Sequence, residues 1–140
     1  MILNYLFFLL LVTTLVTSFA KGGRPERIGA AIYAVGCVLT VVFASPKAGR
    51  FAQEETGILL VDVVTFLAFF FFAIVVDRFW PIWVTAFLAV PLFGHLAVTL
   101  APDIVPWTYA VILSIWSYPI LLIMVVASLR IAATRKPGMR

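Results

Sequence analysis

Two apolar runs lie back to back between residues 61 and 100, separated only by Asp77-Arg78-Phe79-Trp80-Pro81. A break of that length, with a proline suited to the first turn of a following helix, admits a tight turn and little else. The two runs are therefore expected to fold back on each other as an antiparallel hairpin. Each is close to the 20 or so apolar residues that cross a hydrocarbon core. Asp62 and the single histidine, His95, lie inside them. Ionisable groups are costly in such a slab and commonly mark ion or proton paths there.

The pattern recurs along the chain. Apolar runs at 2–20, 28–44, 58–76, 82–100 and 107–129 alternate with short polar connections. Hydrophobic residues make up 64% and charged residues 11%, against roughly 45–50% and 25% in soluble domains. A soluble fold of 140 residues with mean hydropathy +1.16 could not hide this much apolar surface, because small folds still expose a large share of their area. The expected fold class is an all-α transmembrane helical bundle of five spans, one integral membrane domain over residues 1–140.

Basic residues set the expected orientation. Lys21, Arg24, Arg27, Arg78, Arg130, Arg135, Lys136 and Arg140 fall on one side of the five spans, and Lys47 and Arg50 on the other. By the positive-inside rule the N-terminus lies outside and the C-terminus in the cytoplasm. The first run also ends in Ser18-Phe19-Ala20, the small-x-small form of a signal-peptide cleavage site. No basic residue precedes that run and three follow it, so a retained helix is expected. The net charge of +4 thus serves orientation and headgroup contact, and nucleic acid is not an expected partner.

Several local features read as structural. Lys21-Gly22-Gly23-Arg24-Pro25-Glu26-Arg27 is basic and glycine-containing but lacks the GxxxxGK[ST] pattern of a phosphate loop, so a topogenic role is expected. Arg78, Trp80, Trp83 and Trp107 read as membrane-interface anchors, and Tyr109 as a further outer-interface aromatic. Asp77 is expected to cap the next helix or to pair with Arg78. Gly29, Ala30, Ala31, Ala34 and Gly36 give the second span a small-sided face suited to the bundle interior. Phe69 to Phe72 read as packing and lipid-facing bulk, and the lone Cys37 as a small packing residue. In the polar connection 45–57, Glu54 and Glu55 are adjacent and would point apart on a helix, so a solvated loop is expected.

The hairpin geometry brings its two ionisable residues to one level. Asp62 is seventeen residues before Phe79 and His95 sixteen after it. Both should lie roughly 6–8 Å inside the outer end of their helices at about 1.5 Å per residue. Helical spacing groups Asp62 with Thr65 and His95 with Thr99. Three readings of this polar cluster stand open. It can be a structural clasp in which acid and imidazole satisfy each other. It can be a proton relay or ligand-binding element, since an unperturbed imidazole titrates near neutral pH. A metal or cofactor site is the third, but one His, one Cys and no second carboxylate at that depth make a poor ligand set. No cofactor or metal is expected. A haem held by two histidines is excluded by the count, although a His–Met pair is not.

Pro91 and Pro119 each deprive a mid-span carbonyl of its helical donor. Tolerated kinks are the expected consequence, with transporter-type interrupted helices the other reading. Trp116 and Tyr118, expected near mid-depth, need partners for their N–H and O–H groups.

The motifs Gly22-Gly23-Arg24-Pro25-Glu26-Arg27, Asp77-Arg78-Phe79-Trp80-Pro81 with Trp83 and His95, and Trp116-Ser117-Tyr118-Pro119 resemble those of small uncharacterised multi-span inner-membrane proteins of alphaproteobacteria, notably sphingomonads. The resemblance covers most of the chain and implies a bacterial inner-membrane location. It carries no activity or substrate. No nucleophile–base set is visible, so the chain is not expected to be an enzyme. The function the sequence favours is a non-enzymatic accessory or scaffold subunit that binds a larger membrane protein. The alternative is a small proton-coupled transporter or channel subunit using Asp62 and His95, which at this size would need to form a homo-oligomer to enclose a path.

Overall fold

Helices that follow one another in the chain pack side by side from the first to the fifth. The computed structural model describes residues 2–43, 56–103 and 105–134. It contains α1 (Ile2–Ala20), α2 (Arg24–Phe43), α3 (Thr56–Val75), α4 (Trp80–Leu100), α5 (Pro106–Ser114) and α6 (Ser117–Thr134). Taking α5 and α6 together, five segments are long and apolar enough to cross a membrane. The chain is an all-α, multi-pass membrane bundle. The expected solvated loop lies outside the described residues apart from Thr56 and Gly57, as does the basic tail Arg135, Lys136 and Arg140.

The fifth apolar run departs from the expected continuous helix. It is interrupted at Ile115 and Trp116, between α5 and α6. Pro119 offers no N–H to the carbonyl of Ile115, and its ring crowds that carbonyl, so the helix restarts instead of running through. Pro91 sits in an equivalent predicament, yet α4 continues through it.

Neighbour packing runs α1–α2–α3–α4–α6 and back to α1, a ring of five, with α5 standing against α4 and α2 also reaching α6. Apolar burial supplies no net drive between helices inside lipid, so close approach and polar bonds hold such rings together. Small residues on α2 allow the approach. A Cβ on Gly29 would run into the Trp80 ring, and one on Gly36 would stand 2.9 Å from the Thr65 hydroxyl. The first apolar run belongs to the ring through polar contacts. Ser18 and Ser128 share a hydroxyl bond of 3.1 Å, and Ser128 donates to the Met124 carbonyl. Thr14 reaches the carbonyl of Leu121 at 3.4 Å.

The interior packs Tyr33, Phe69, Trp80, Leu88, Leu121 and Met124 together. Phe69 is fully buried and meets Trp80 edge-on, while Phe70 and Phe71 face outward, so the phenylalanine run divides between packing and lipid contact as expected. The Tyr118 hydroxyl finds its partner on α1, donating to the carbonyl of Leu3 at 2.8 Å while its ring meets Phe7 edge-on. Trp116 stacks on Phe87, with ring centroids 5.7 Å apart.

Candidate functional site

The α3–α4 hairpin delivers what its spacing implied. Asp62 lies six residues into α3 and His95 five before the end of α4, so both sit roughly 7–9 Å inside the same end of the bundle. Their rotations about the helix axes bring them into contact. His95 Nε2 lies 3.0 Å from Oδ2 of Asp62. The opposite ring nitrogen, Nδ1, lies 2.6 Å from the hydroxyl of Tyr109 on α5. The tyrosine and imidazole rings stand almost perpendicular, at 87°. His95 and Tyr109 are buried, with 1% and 0% of their surface exposed.

Tyr109 was expected at the outer interface with Trp107. Trp107 is indeed exposed, but Tyr109 turns inward. Its hydroxyl is a polar handle, and a buried imidazole offers it a partner inside a packed interface. Around the turn between α4 and α5, His95 and Tyr109 lie six residues before Ala101 and four after Val105. Gly94 permits the approach of α5, since a Cβ there would stand 2.7 Å from Ile112.

Asp62 is the end of the chain that meets open space. Its side chain keeps 21% of its surface exposed, and it lines a cavity of about 250 Å³. Around it stand Tyr33, Cys37, Thr65, Ser114 and Ser117, with Pro91 and Trp116 also contributing to the wall. All six helices supply lining residues. The interruption between α5 and α6 lies on this wall, with Trp116 in the break and Ser114 and Ser117 on either side of it. Among the described residues on the wall, Asp62 is the one of ionisable-acid or basic type, and the other polar groups are hydroxyls, a thiol, an amide and an indole. Thr65 is part of the cavity wall. Thr99 is not: its hydroxyl donates to the backbone carbonyl of its own neighbour in the helix, His95, at 3.0 Å, and its side chain is exposed.

The chain of contacts has a defined proton logic. With Asp62 ionised, His95 Nε2–H donates to the carboxylate and Nδ1 accepts the Tyr109 O–H, an assignment that follows from the bonding network. The cluster then carries one negative charge. Uptake of a proton, held on the imidazole or on the carboxyl, brings it to zero. The imidazole nitrogens are both engaged, so a metal or haem iron would have to displace Asp62 or Tyr109 to reach His95. Among the described residues no three His, Cys, Asp or Glu side chains gather into a metal site.

No family model, curated protein or solved structure matches the chain.

A second polar cluster occupies the opposite end of the bundle, and its centre is a residue that sequence reasoning left in a topogenic loop. Glu26 is buried, with 1% of its surface exposed. Its Oε2 accepts the backbone N–H of Gly23 at 2.9 Å. Its Oε1 accepts the Arg78 Nε–H at 3.2 Å and the Trp80 indole N–H at 3.1 Å. Glu26 therefore caps α2 from its third position and ties that helix to the α3–α4 hinge. Asp77 does neither of the things expected of it. The residue at the cap of α4 is Phe79, without a side-chain cap bond, and the acid that pairs with Arg78 is Glu26. Trp80 is correspondingly buried, an internal donor and not a lipid-facing anchor, while Trp83 is half exposed. The signal available in the sequence was a single acid in a basic loop, three residues after Gly23. Its partners come from a hinge 52 and 54 residues away.

Proposed function

We propose that this protein binds a small cation within the membrane and exchanges it for a proton at Asp62, as a subunit of a proton-coupled transporter or channel. The observation that carries the reading is the Tyr109–His95–Asp62 chain ending on a cavity whose largely apolar wall carries a polar strip at Asp62. A purely structural clasp needs no open space, yet Asp62 retains exposed surface facing it. The cavity wall offers one acid and several hydroxyl residues within an otherwise apolar surface from Phe7, Ile58, Leu88 and Leu113, a lining that suits a small protonated amine best and a monovalent metal ion at the acid itself. Its volume exceeds the roughly 150 Å³ that suffices to hold benzene, so an organic ammonium fits by size.

In the exchange, the ionised cluster holds the cation against Asp62. A proton arriving at Asp62 or His95 neutralises the cluster, the Coulombic hold on the cation is lost, and the cation leaves. Loss of the proton restores the site. His95 acts as a proton store behind the carboxylate, and Tyr109 holds the imidazole ring in place. We place the protein in a bacterial inner membrane, N-terminus outside, so that the cavity lies toward the outer face; the basic-residue distribution supports this orientation. The accessory or scaffold reading favoured by the sequence differs in needing no solute in the cavity.

The test uses purified protein in liposomes carrying an internal pH dye. Wild type, Asp62→Asn, His95→Gln and Tyr109→Phe are compared under inward gradients of sodium, potassium and methylammonium. Expected are proton efflux from wild-type vesicles with at least one of the three, its loss in Asp62→Asn, and slowing in the other two. Wild-type flux equal to that of empty vesicles for all three cations would sink the reading. Co-purification of a stoichiometric membrane partner in that case would favour the accessory role.

A further inference from the structure

Beyond the site at Asp62, a second and wider cleft lies at the opposite, basic end of the bundle. It is a groove of about 650 Å³ between the start of α4 and the stretch of α6 from Leu122 to Ile131, with Glu26 also in its lining. Leu122, Val126 and Arg130 follow one another at four-residue spacing on α6 and all line it, so an apolar track one helix face wide ends in a guanidinium. On the facing wall, Trp83 and Phe79 lead to Arg78. Arg78 keeps 36% of its side-chain surface exposed even while it donates to Glu26.

The charge at the mouth is asymmetric. Two guanidinium groups face one carboxylate, and that carboxylate is already buried and spent on Arg78, Trp80 and Gly23. The mouth is left with one uncompensated positive charge. Lys21, Arg24 and Arg27 in the adjoining segment outnumber the exposed Asp77 beside Arg78, so the end as a whole stays positive. Neither an apolar track nor a basic mouth alone identifies an occupant, but in sequence along one groove they match the two ends of a lipid. Basic pockets between transmembrane helices take up anionic headgroups. Arginine is suited to phosphate through its forked donors. Exposed Trp and Phe at the rim occupy headgroup level, where aromatic side chains concentrate.

We propose that the groove is a binding site for an anionic phospholipid of the surrounding bilayer, with the phosphodiester at Arg78 and Arg130 and an acyl chain along Leu122 and Val126. A zwitterionic lipid brings its own cation to a positive mouth and is the weaker ligand. A soluble phosphate lacks the chain that fills the track. The site is separate from the cavity at Asp62, and it stands or falls independently of transport.

The experiment is native mass spectrometry of the purified full chain titrated with an equimolar mixture of phosphatidylglycerol and phosphatidylcholine in mild detergent. Arg130→Gln removes the mouth charge that has no structural partner among the described residues, and Val126→Trp fills the track; melting curves confirm that both variants fold. The wild type is expected to retain phosphatidylglycerol over phosphatidylcholine. Arg130→Gln should reduce that preference by about fivefold, the factor one basic residue contributes near an anionic surface. Val126→Trp should reduce retention of both lipids. Inorganic phosphate should not displace the lipid. Equal retention of the two lipids by wild type, an unchanged preference in Arg130→Gln, or displacement by phosphate would overturn the proposal.

Discussion

Glu26 gives the bundle its most exacting test, because three donors converge on one buried carboxylate. In Glu26→Gln the volume is preserved, but one oxygen becomes an NH2 group. If the amide oxygen takes the Oε1 position, the new N–H bonds confront the N–H of Gly23. If it takes the Oε2 position, they confront Arg78 and the Trp80 indole. Either orientation loses at least one hydrogen bond to a charged acceptor, a loss of about 1.5–3 kcal/mol. Glu26→Ala strands all three donors. Removing one partner of a buried pair costs about 3–5 kcal/mol, and the low end applies here because Arg78 is partly solvated and can turn toward water or headgroups. Asp77→Asn is the control. It removes the acid beside Arg78 in sequence, but its side chain is exposed and the pairing acid is Glu26. It should stay within about 0.5 kcal/mol of wild type. The assay is unfolding in mixed micelles by increasing SDS fraction, followed by tryptophan fluorescence, with Trp80→Phe added to both backgrounds as a double-mutant cycle. Glu26→Gln as stable as wild type, or Asp77→Asn the more damaging of the two, would refute the assignment of Glu26 as the clasp.

Two further outcomes are expected. Gly29→Val should destabilise the bundle by about 1–3 kcal/mol in the same assay, because even a Cβ at that position runs into the Trp80 ring; Ala31→Val, on an exposed position two residues on, should be near neutral. A reporter active only in the cytoplasm, fused after Arg140, should be active, and a periplasm-specific reporter at the same place silent; the reverse result would invert the bundle and place the basic groove outside.

Of the candidate site, the sequence carried the level but not the rotation. Equal distances from Phe79 set Asp62 and His95 at one depth, since a tight hinge and a constant rise leave no slack. Whether they touch depends on how each helix turns about its axis, which is decided by packing. Gly36 under Thr65, and Gly94 against Ile112, are the close approaches that settle it for α3 and α5. Thr99 shows the complement: right in spacing, it is on the exposed side of α4 and spends its hydroxyl on its own helix backbone.

What the sequence by itself determined is everything that follows from a one-dimensional pattern read against a slab. Run length and polarity dictate helices that cross it, the brevity of the hinge dictates a hairpin, and the basic residues carry the expectation of which way it faces. Tertiary structure alone decided which polar groups meet. Tyr109 and Glu26 looked like interface and loop residues because their partners come from other helices. Buried polar groups in an apolar bundle must find a donor or acceptor, and the one that each finds is fixed by the ring order and rotation of the helices, which no local spacing encodes.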